Sequence, residues 1–189
     1  MRRYLCRIAI NVFRSPKTLH EVHHLLKRAR ESMLTGSLAV IRPIGRNAYR
    51  IVSLSTSKGY WKRGSAGLAI AFRKGDYDAV HYAYVSPKEM KCSCLYSTRI
   101  GAKADAILES LGMPPIASKY VMCKHVLAAI AYLCGTGSLS LRDGTLRNTL
   151  VKGLAVLYLA IEDIDRVKRS ADLIKRVLGS GGDGESSSP

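Results

Sequence analysis

Glutamine is absent from the chain, and asparagine occurs only at positions 11, 47 and 148. Scarcity of thermolabile amides is a trait of thermophile proteins. Long hydrophobic runs are missing too. The best candidate, GLAVLYLAI at 153–161, has nine residues, against the roughly 20 that span a bilayer as a helix. The basic opening MRRYLCRIAINVF is interrupted by Arg7 and leads to no small-residue cleavage site, so it reads as mature protein. There is no P-loop, no Rossmann glycine fingerprint and no nucleophile elbow, which removes the common signatures of nucleotide hydrolysis, dinucleotide binding and acyl transfer. No lipidation signal or aromatic-anchored basic helix points to a membrane surface. Acids are few: 14 Asp and Glu stand against 30 Lys and Arg, a formal net charge of +16.

What is present fits one domain. A chain of 189 residues at 47% hydrophobic content is long enough to bury its own core, so a metal is not needed to replace one. The charge is one-sided. Residues 1–75 hold sixteen bases and two acids, Glu21 and Glu31, whereas the remainder is nearly balanced. Such a surplus points to a polyanionic partner, nucleic acid being the commonest. Five cysteines (6, 92, 94, 123 and 134) form an odd, clustered set. That pattern argues for a reducing, cytoplasmic setting and metal ligation rather than a disulfide frame.

The hydrophobic patterning predicts an α+β fold. A short strand is expected at 4–13. Ser15-Pro16 then opens a helix with Leu19, Val22, Leu26, Ala29 and Met33 on one stripe, running to Gly36. Strands are expected at 37–43, 48–55, 67–73 and 78–85, with RKGDYD (73–78) as a hairpin turn. KADAILESLG (103–112) reads as a two-turn helix ended by Gly112 and Pro114. The run after His125 is a helix, and 145–179 is one long helix or two joined near Gly153. The expected domain is 1–178: a twisted antiparallel sheet packed by the N-terminal helix, the post-His125 helix and a helical part at 145–178. The tail 179–189 reads as disordered.

Chemistry concentrates in two short pairs. Lys91-Cys92-Ser93-Cys94 follows a strand, where a tight turn brings both thiolates into one corner. Cys123-Lys124-His125 opens an apolar helix and supplies a third thiolate and an imidazole, with Lys124 expected to point away. Cys92, Cys94, Cys123 and His125 make a soft four-donor set suited to one tetrahedral Zn2+, and a closed set suits a structural role. Buried cysteines are ordinary in cores, but two short-spaced pairs at a strand end and a helix start are a different pattern. Cys134, nine residues beyond His125, lies about 13 Å along the helix and is excluded from the site. Cys6 reads as core in the first strand.

This arrangement resembles the SWIM-type zinc finger: C-x-C, then C-K-H running into HVLAAIAYL, with YRIVSLS and VHYAYVS upstream. The resemblance covers about residues 48–134. It implies a β-β-α zinc module used for DNA binding or protein contacts, including in transposase-associated proteins and recombination mediators. The 28 residues between Cys94 and Cys123 exceed the family's usual gap. The 103–112 helix is the expected insert, and such an insertion costs little loop entropy.

Two other stretches compete for attention. His20-Glu21-Val22-His23-His24 matches H-E-x-x-H, but helical projection puts His20 and His24 on the polar flank with Lys27 and Glu31, and the remaining histidine, His81, lies in a strand. A surface helix is the expected reading. The stretch Ser57-Lys58-Gly59-Tyr60-Trp61-Lys62-Arg63-Gly64 is basic and aromatic: Tyr60 or Trp61 would stack on a base while Lys58, Lys62 and Arg63 meet phosphates. The alternative is a tip whose Trp folds back on the sheet. Arg42, Arg46 and Arg50 precede it, and Arg73 and Lys74 end its return strand. Glu162, Asp163 and Asp165 read as helix-surface acids paired with Arg166, Lys168 and Arg169. The sequence thus predicts a non-enzymatic, zinc-stabilised nucleic-acid-binding protein linked to DNA recombination or transposition. The alternatives are a ribosome-associated RNA-binding protein, and an adaptor that docks a recombinase or transposase through 145–178.

Overall fold

The computed structural model describes residues 1–34, 38–55 and 58–179; Gly36, Ser37, Ser57 and the tail from 180 lie outside them. Among the described residues, eight helices and four strands follow in the order α1 (Arg2–Asn11), α2 (Pro16–Leu34), β1 (Leu38–Gly45), β2 (Ala48–Leu54), α3 (Gly64–Arg73), β3 (Val80–Val85), β4 (Met90–Cys92), α4 (Leu95–Ser110), α5 (Lys124–Gly135), α6 (Gly144–Ile161), α7 (Ile164–Arg169) and α8 (Ala171–Gly179).

The sheet is antiparallel in the order β1-β2-β3-β4. Its register makes Ile41, Ile51 and Ala83 neighbours on one face, and Ile51, Ala83, Val85 and Met90 are buried there in the main core. α5 covers that face, α2 packs on α5, and α4 packs on α6. The other face is only partly covered. α3 lies over one end of it, forming a small second core from Leu54, Ala71, Ala79 and Val80 with Val52, Tyr60, Trp61 and Leu68. The β1–β2 turn holds Asn47 at φ 57°, a left-handed conformation that Asn accepts more readily than most residues.

Two expected strands are helices. Residues 4–11 lie in α1, because Leu5, Ala9 and, just past its end, Phe13 recur every fourth position and are all buried, while Arg2, Arg3 and Arg7 project outward. Phe13 reaches the ring of Tyr158 at 5.2 Å. Residues 67–73 belong to α3, because β2 and β3 pair directly, Tyr49 to Val85 through Leu54 to Val80, and leave no slot between them. Ala66, Leu68, Ala69 and Ala71 are good helix formers. RKGDYD is therefore no hairpin turn; it ends α3 and leads through a 3-10 turn (Tyr77–Ala79) to β3.

Other expectations hold with adjustments. Ser15 caps α2, its hydroxyl accepting from the Thr18 amide at 2.9 Å. The α2 stripe is rotated: Thr18, Val22, Leu25, Ala29 and Ser32 are buried, while Met33 is exposed. The helix expected at 103–112 starts eight residues earlier, as α4. It ends where foreseen, with Gly112 at φ 70° and Met113 N–H donating to Leu108 O at 2.9 Å, a Schellman closure. The C-terminal run breaks at Glu162, not Gly153. Glu162 is buried and accepts from the Ser15 hydroxyl, Arg166 lies 3.8 Å away, and Asp163 pairs with Lys17 at 2.9 Å. These acids dock the α6–α7 corner onto the start of α2, so they are not merely helix-surface charges.

Candidate functional site

The two cysteine pairs meet because of backbone pairing around β4. Cys92 ends β4, and Cys94 is the N-cap of α4. Met90 bridges Tyr120 in parallel, which brings Tyr120–Met122 alongside β4 and sets Cys123 as the N-cap of α5. Gly153 lets α6 come in behind this bridge: a Cβ there would stand 2.9 Å from Tyr120 O and 2.8 Å from Met122 Cγ.

The donor atoms of Cys92, Cys94, Cys123 and His125 all lie within 4.8 Å of one another. His125 Nδ1 is 3.7 Å from Cys92 Sγ and 3.9 Å from Cys123 Sγ. Tetrahedral zinc, with bonds of about 2.3 Å to sulfur and about 2.0 Å to nitrogen, separates its donors by roughly 3.5–3.8 Å. The four residues are therefore close enough to hold a metal ion and compatible with one structural zinc. The electrostatics agree. Hydrogen bonds from Cys123 and Cys92 hold the Cys94 thiol far below its ordinary value. Hydrogen bonding with Cys123 and Cys94 pushes Cys92 far above it, and burial pushes Cys123 up to about 12. The opposed shifts show three sulfurs sharing protons in one buried corner; a dication would displace the protons they hold. The N-termini of α4 and α5 both abut the cluster and favour thiolate.

His81, a spare histidine by sequence, lies against the site, its ring 4.9 Å from that of His125. Burial pushes its imidazole below the ordinary value, and His125 adds to this. His125 Nε2 is buried and has no hydrogen-bond partner among the described residues. Both rings border a cleft of about 740 Å³ shared with Arg28, Tyr77, Tyr96 and Lys124. Lys124, expected to point away, lines this cleft within electrostatic reach of Cys94 and Cys123. Cys134 is half-buried and outside the cluster. Cys6, on a helix rather than a strand, is also half-buried, its Sγ 3.1 Å from His23 Nε2. His20 and His24 are exposed, and Glu21 accepts from Tyr96 at 2.8 Å. Among the described residues, that motif gathers no metal-binding group.

The basic residues divide into three places. Arg42 and Arg50 face each other across β1 and β2. The row continues to Tyr84 and Lys91, which pair in turn with Arg50 and with each other across β3 and β4. This is the part of the outer face that α3 leaves uncovered; Arg42, Arg50 and Lys91 are exposed there. Tyr82, on the same face, is also exposed. Lys91 pairs with Glu89 at 3.0 Å, whereas the two arginines have no acid partner among the described residues. Arg46 lies in the β1–β2 turn. The aromatic stretch forms a 3-10 turn (Tyr60–Arg63): Tyr60 donates to Asp76, Lys58 pairs with Asp76 at 3.0 Å, and Trp61 is half-buried against the second core. Lys62, Arg63, Arg73 and Lys74 are exposed. Arg73 and Lys74 end a helix, so they do not share a strand edge with Arg42 and Arg50. The sequence reading missed Tyr82, Tyr84 and Lys91, although the alternation in VHYAYV already placed both tyrosines on one face.

Comparison with protein-family models, curated proteins and solved structures finds no match. The chain is defined by its own geometry: a mixed helix-and-sheet fold with a four-stranded antiparallel sheet and a Cys/His cluster compatible with metal. Among the described residues no helix is long and apolar enough to cross a membrane.

Proposed function

We propose that the chain is a non-enzymatic nucleic-acid-binding protein in which a SWIM-like zinc corner braces a basic sheet face for a single strand. The carrying observation is the row Arg42, Arg50, Tyr84 and Lys91 across all four strands. Like charges placed directly opposite destabilise a sheet, and a phosphate between them turns that repulsion into attraction. Tyr82 and Tyr84 supply faces for base stacking beside them. Zinc on Cys92, Cys94, Cys123 and His125 would tie the end of β4 to α4 and α5, and a closed donor set leaves no position for catalysis. The strand–turn–helix placement of the ligands supports the SWIM resemblance, with α4 as the insert between the pairs. The adaptor alternative is weakened by α6, whose residues 152–160 are all buried, and by α8, which turns Ile174 and Leu178 inward.

Fluorescence anisotropy with labelled single-stranded DNA and RNA tests this reading. Arg42→Glu with Arg50→Glu should weaken binding at least tenfold, as loss of two charge-assisted contacts implies. Unchanged affinity, or no affinity for either polymer at low salt, would remove the proposal.

A further inference from the structure

Beyond Tyr84 the sheet ends in a second cleft of about 770 Å³, between the β1–β2 turn, the β3–β4 turn and the first half of α6. Four bases line it: Arg46, Lys88, Lys119 and Lys152. Its two acids are already engaged. Glu89 pairs with Lys91 at 3.0 Å, and the Asp143 carboxylate accepts from the Thr145 amide at 2.8 Å as the cap of α6. None of the four bases has an acid partner among the described residues.

Lys152 carries the inference. It is 6% exposed on the most buried helix of the fold. Its Nζ sits 5.1 Å over the Tyr120 ring and makes no hydrogen bond or ion pair to another described residue. Burial pushes its pKa down. The stem of Lys152 is packed in the core while its ammonium opens onto the cleft with no anion beside it among the described residues, and Leu or Met would fill the stem's place without bringing a charge there. The charge makes sense if the cleft takes an anion. The other three bases lie at the β1–β2 turn, at the β3–β4 turn and just before Tyr120, so positive charge comes from several sides. The aromatic ring of Tyr120 suits a ligand that also carries a base.

We propose that this cleft is a phosphate-monoester site with Lys152 at its charged wall. The phosphate belongs either to a free nucleotide or to the end of a nucleic-acid strand. Tyr84, half-buried, lines the cleft and stands in the row across the sheet's outer face, so a strand lying on that row would deliver its terminus here. The strand-end form rests on the sheet-face reading; the phosphate site itself does not.

The test uses the full zinc-loaded chain. Calorimetry compares adenosine 5′-monophosphate with adenosine. Anisotropy compares ten-nucleotide single strands ending in 5′-phosphate, 3′-phosphate or hydroxyls. A terminal phosphate should tighten strand binding about tenfold, the scale of charge-assisted contacts, and the monophosphate should bind where the nucleoside does not. Lys152→Met keeps the aliphatic stem and should abolish both differences while leaving hydroxyl-ended strands unaffected. Lys88→Ala with Lys119→Ala, on the rim, should shrink both several-fold and covers the case in which Lys152→Met does not fold. Hydroxyl-ended strands that bind normally, with no gain from any phosphate, would overturn the cleft proposal and spare the sheet-face reading. Monophosphate binding through Lys152 with no strand binding would sustain the cleft and overturn the sheet face.

Discussion

Gly153→Ala puts a single methyl group where α6 passes behind the Cys/His cluster. In an open helix the change stabilises by about 1 kcal/mol through backbone entropy. Here the new Cβ would stand 2.2 Å from Met90 Cε, 2.8 Å from Met122 Cγ and 2.9 Å from Tyr120 O. Met90 Cε ends a flexible side chain and can swing aside. Met122 Cγ is mid-chain in a residue 1% exposed, and Tyr120 O is backbone in the segment bridged to Met90. Relieving both requires α6 to back away or residues 120–122 to shift. Overpacking of this kind costs typically 1–3 kcal/mol; taking the upper end and subtracting the helix gain leaves about 2 kcal/mol of net destabilisation. For a chain of this size that lowers the unfolding temperature by roughly 4–8 °C. Gly135→Ala is the control. It sits at the end of α5, where an added Cβ would meet nothing within 4 Å, and should gain about 0.5–1 kcal/mol. Because residues 120–122 run directly into Cys123, Gly153→Ala should also weaken zinc retention in a competition with a chromophoric chelator. The assay is thermal denaturation by circular dichroism with that titration beside it. If Gly153→Ala proves as stable as Gly135→Ala and keeps its metal equally well, the close packing behind the site is not as described.

The remaining expectations concern the metal, the charges and pH. Elemental analysis of the purified chain should find about one zinc, as one four-donor site requires. Cys94→Ala or His125→Ala should lose it while Cys6→Ala and Cys134→Ala retain it; equal zinc in all four would refute the ligand assignment. Removing the metal with a chelator should loosen the corner and lower the unfolding temperature without erasing helical signal, because the core is large. Loss of all structure would contradict this. Two single-strand phosphate contacts account for about 1.4 units of slope in log affinity against log salt, so reversing Arg42 and Arg50 should flatten the slope by about that amount; an unaltered slope would place the phosphates elsewhere. Hydrogen bonds from Tyr60 and Lys58 hold Asp76 below its ordinary value. A depressed carboxylate stabilises the fold above its unfolded pKa, and that contribution is lost as pH falls through the folded one. The unfolding temperatures of the parent and Asp76→Asn should therefore differ at pH 6 and converge toward pH 2. A constant gap would show that Asp76 acts by packing.

The four residues that come close enough to hold a metal were legible because ligand chemistry is local. C-x-C at a strand end and C-x-H at a helix start each define half a site in a few residues, and the soft donor set narrows the metal. The same holds for the cap at Ser15 and the stop at Gly112, where one residue's conformational preference decides the outcome. His81 was not legible as a neighbour of His125, because only the β3–β4 pairing and the seating of α5 bring the two rings together. Nor was the burial of Glu162: spacing alone suggests an exposed helix acid, whereas the α6–α7 corner turns it onto Ser15.

The two strand-to-helix reversals have the same origin. Short apolar runs such as 4–13 and 67–73 satisfy either periodicity, and the choice falls to whichever partner is free. β3 had already taken the edge of β2, so 67–73 folded as a helix over the sheet. By itself the sequence determined a mixed fold, a metal-competent Cys/His set and a strongly basic first half, because composition and short spacing suffice for these. Only the tertiary structure aligned Arg42, Arg50, Tyr84 and Lys91 in one row and buried Lys152 in the wall of a cleft. Those arrangements depend on strand register and helix packing between residues far apart in the chain, and no local pattern encodes them.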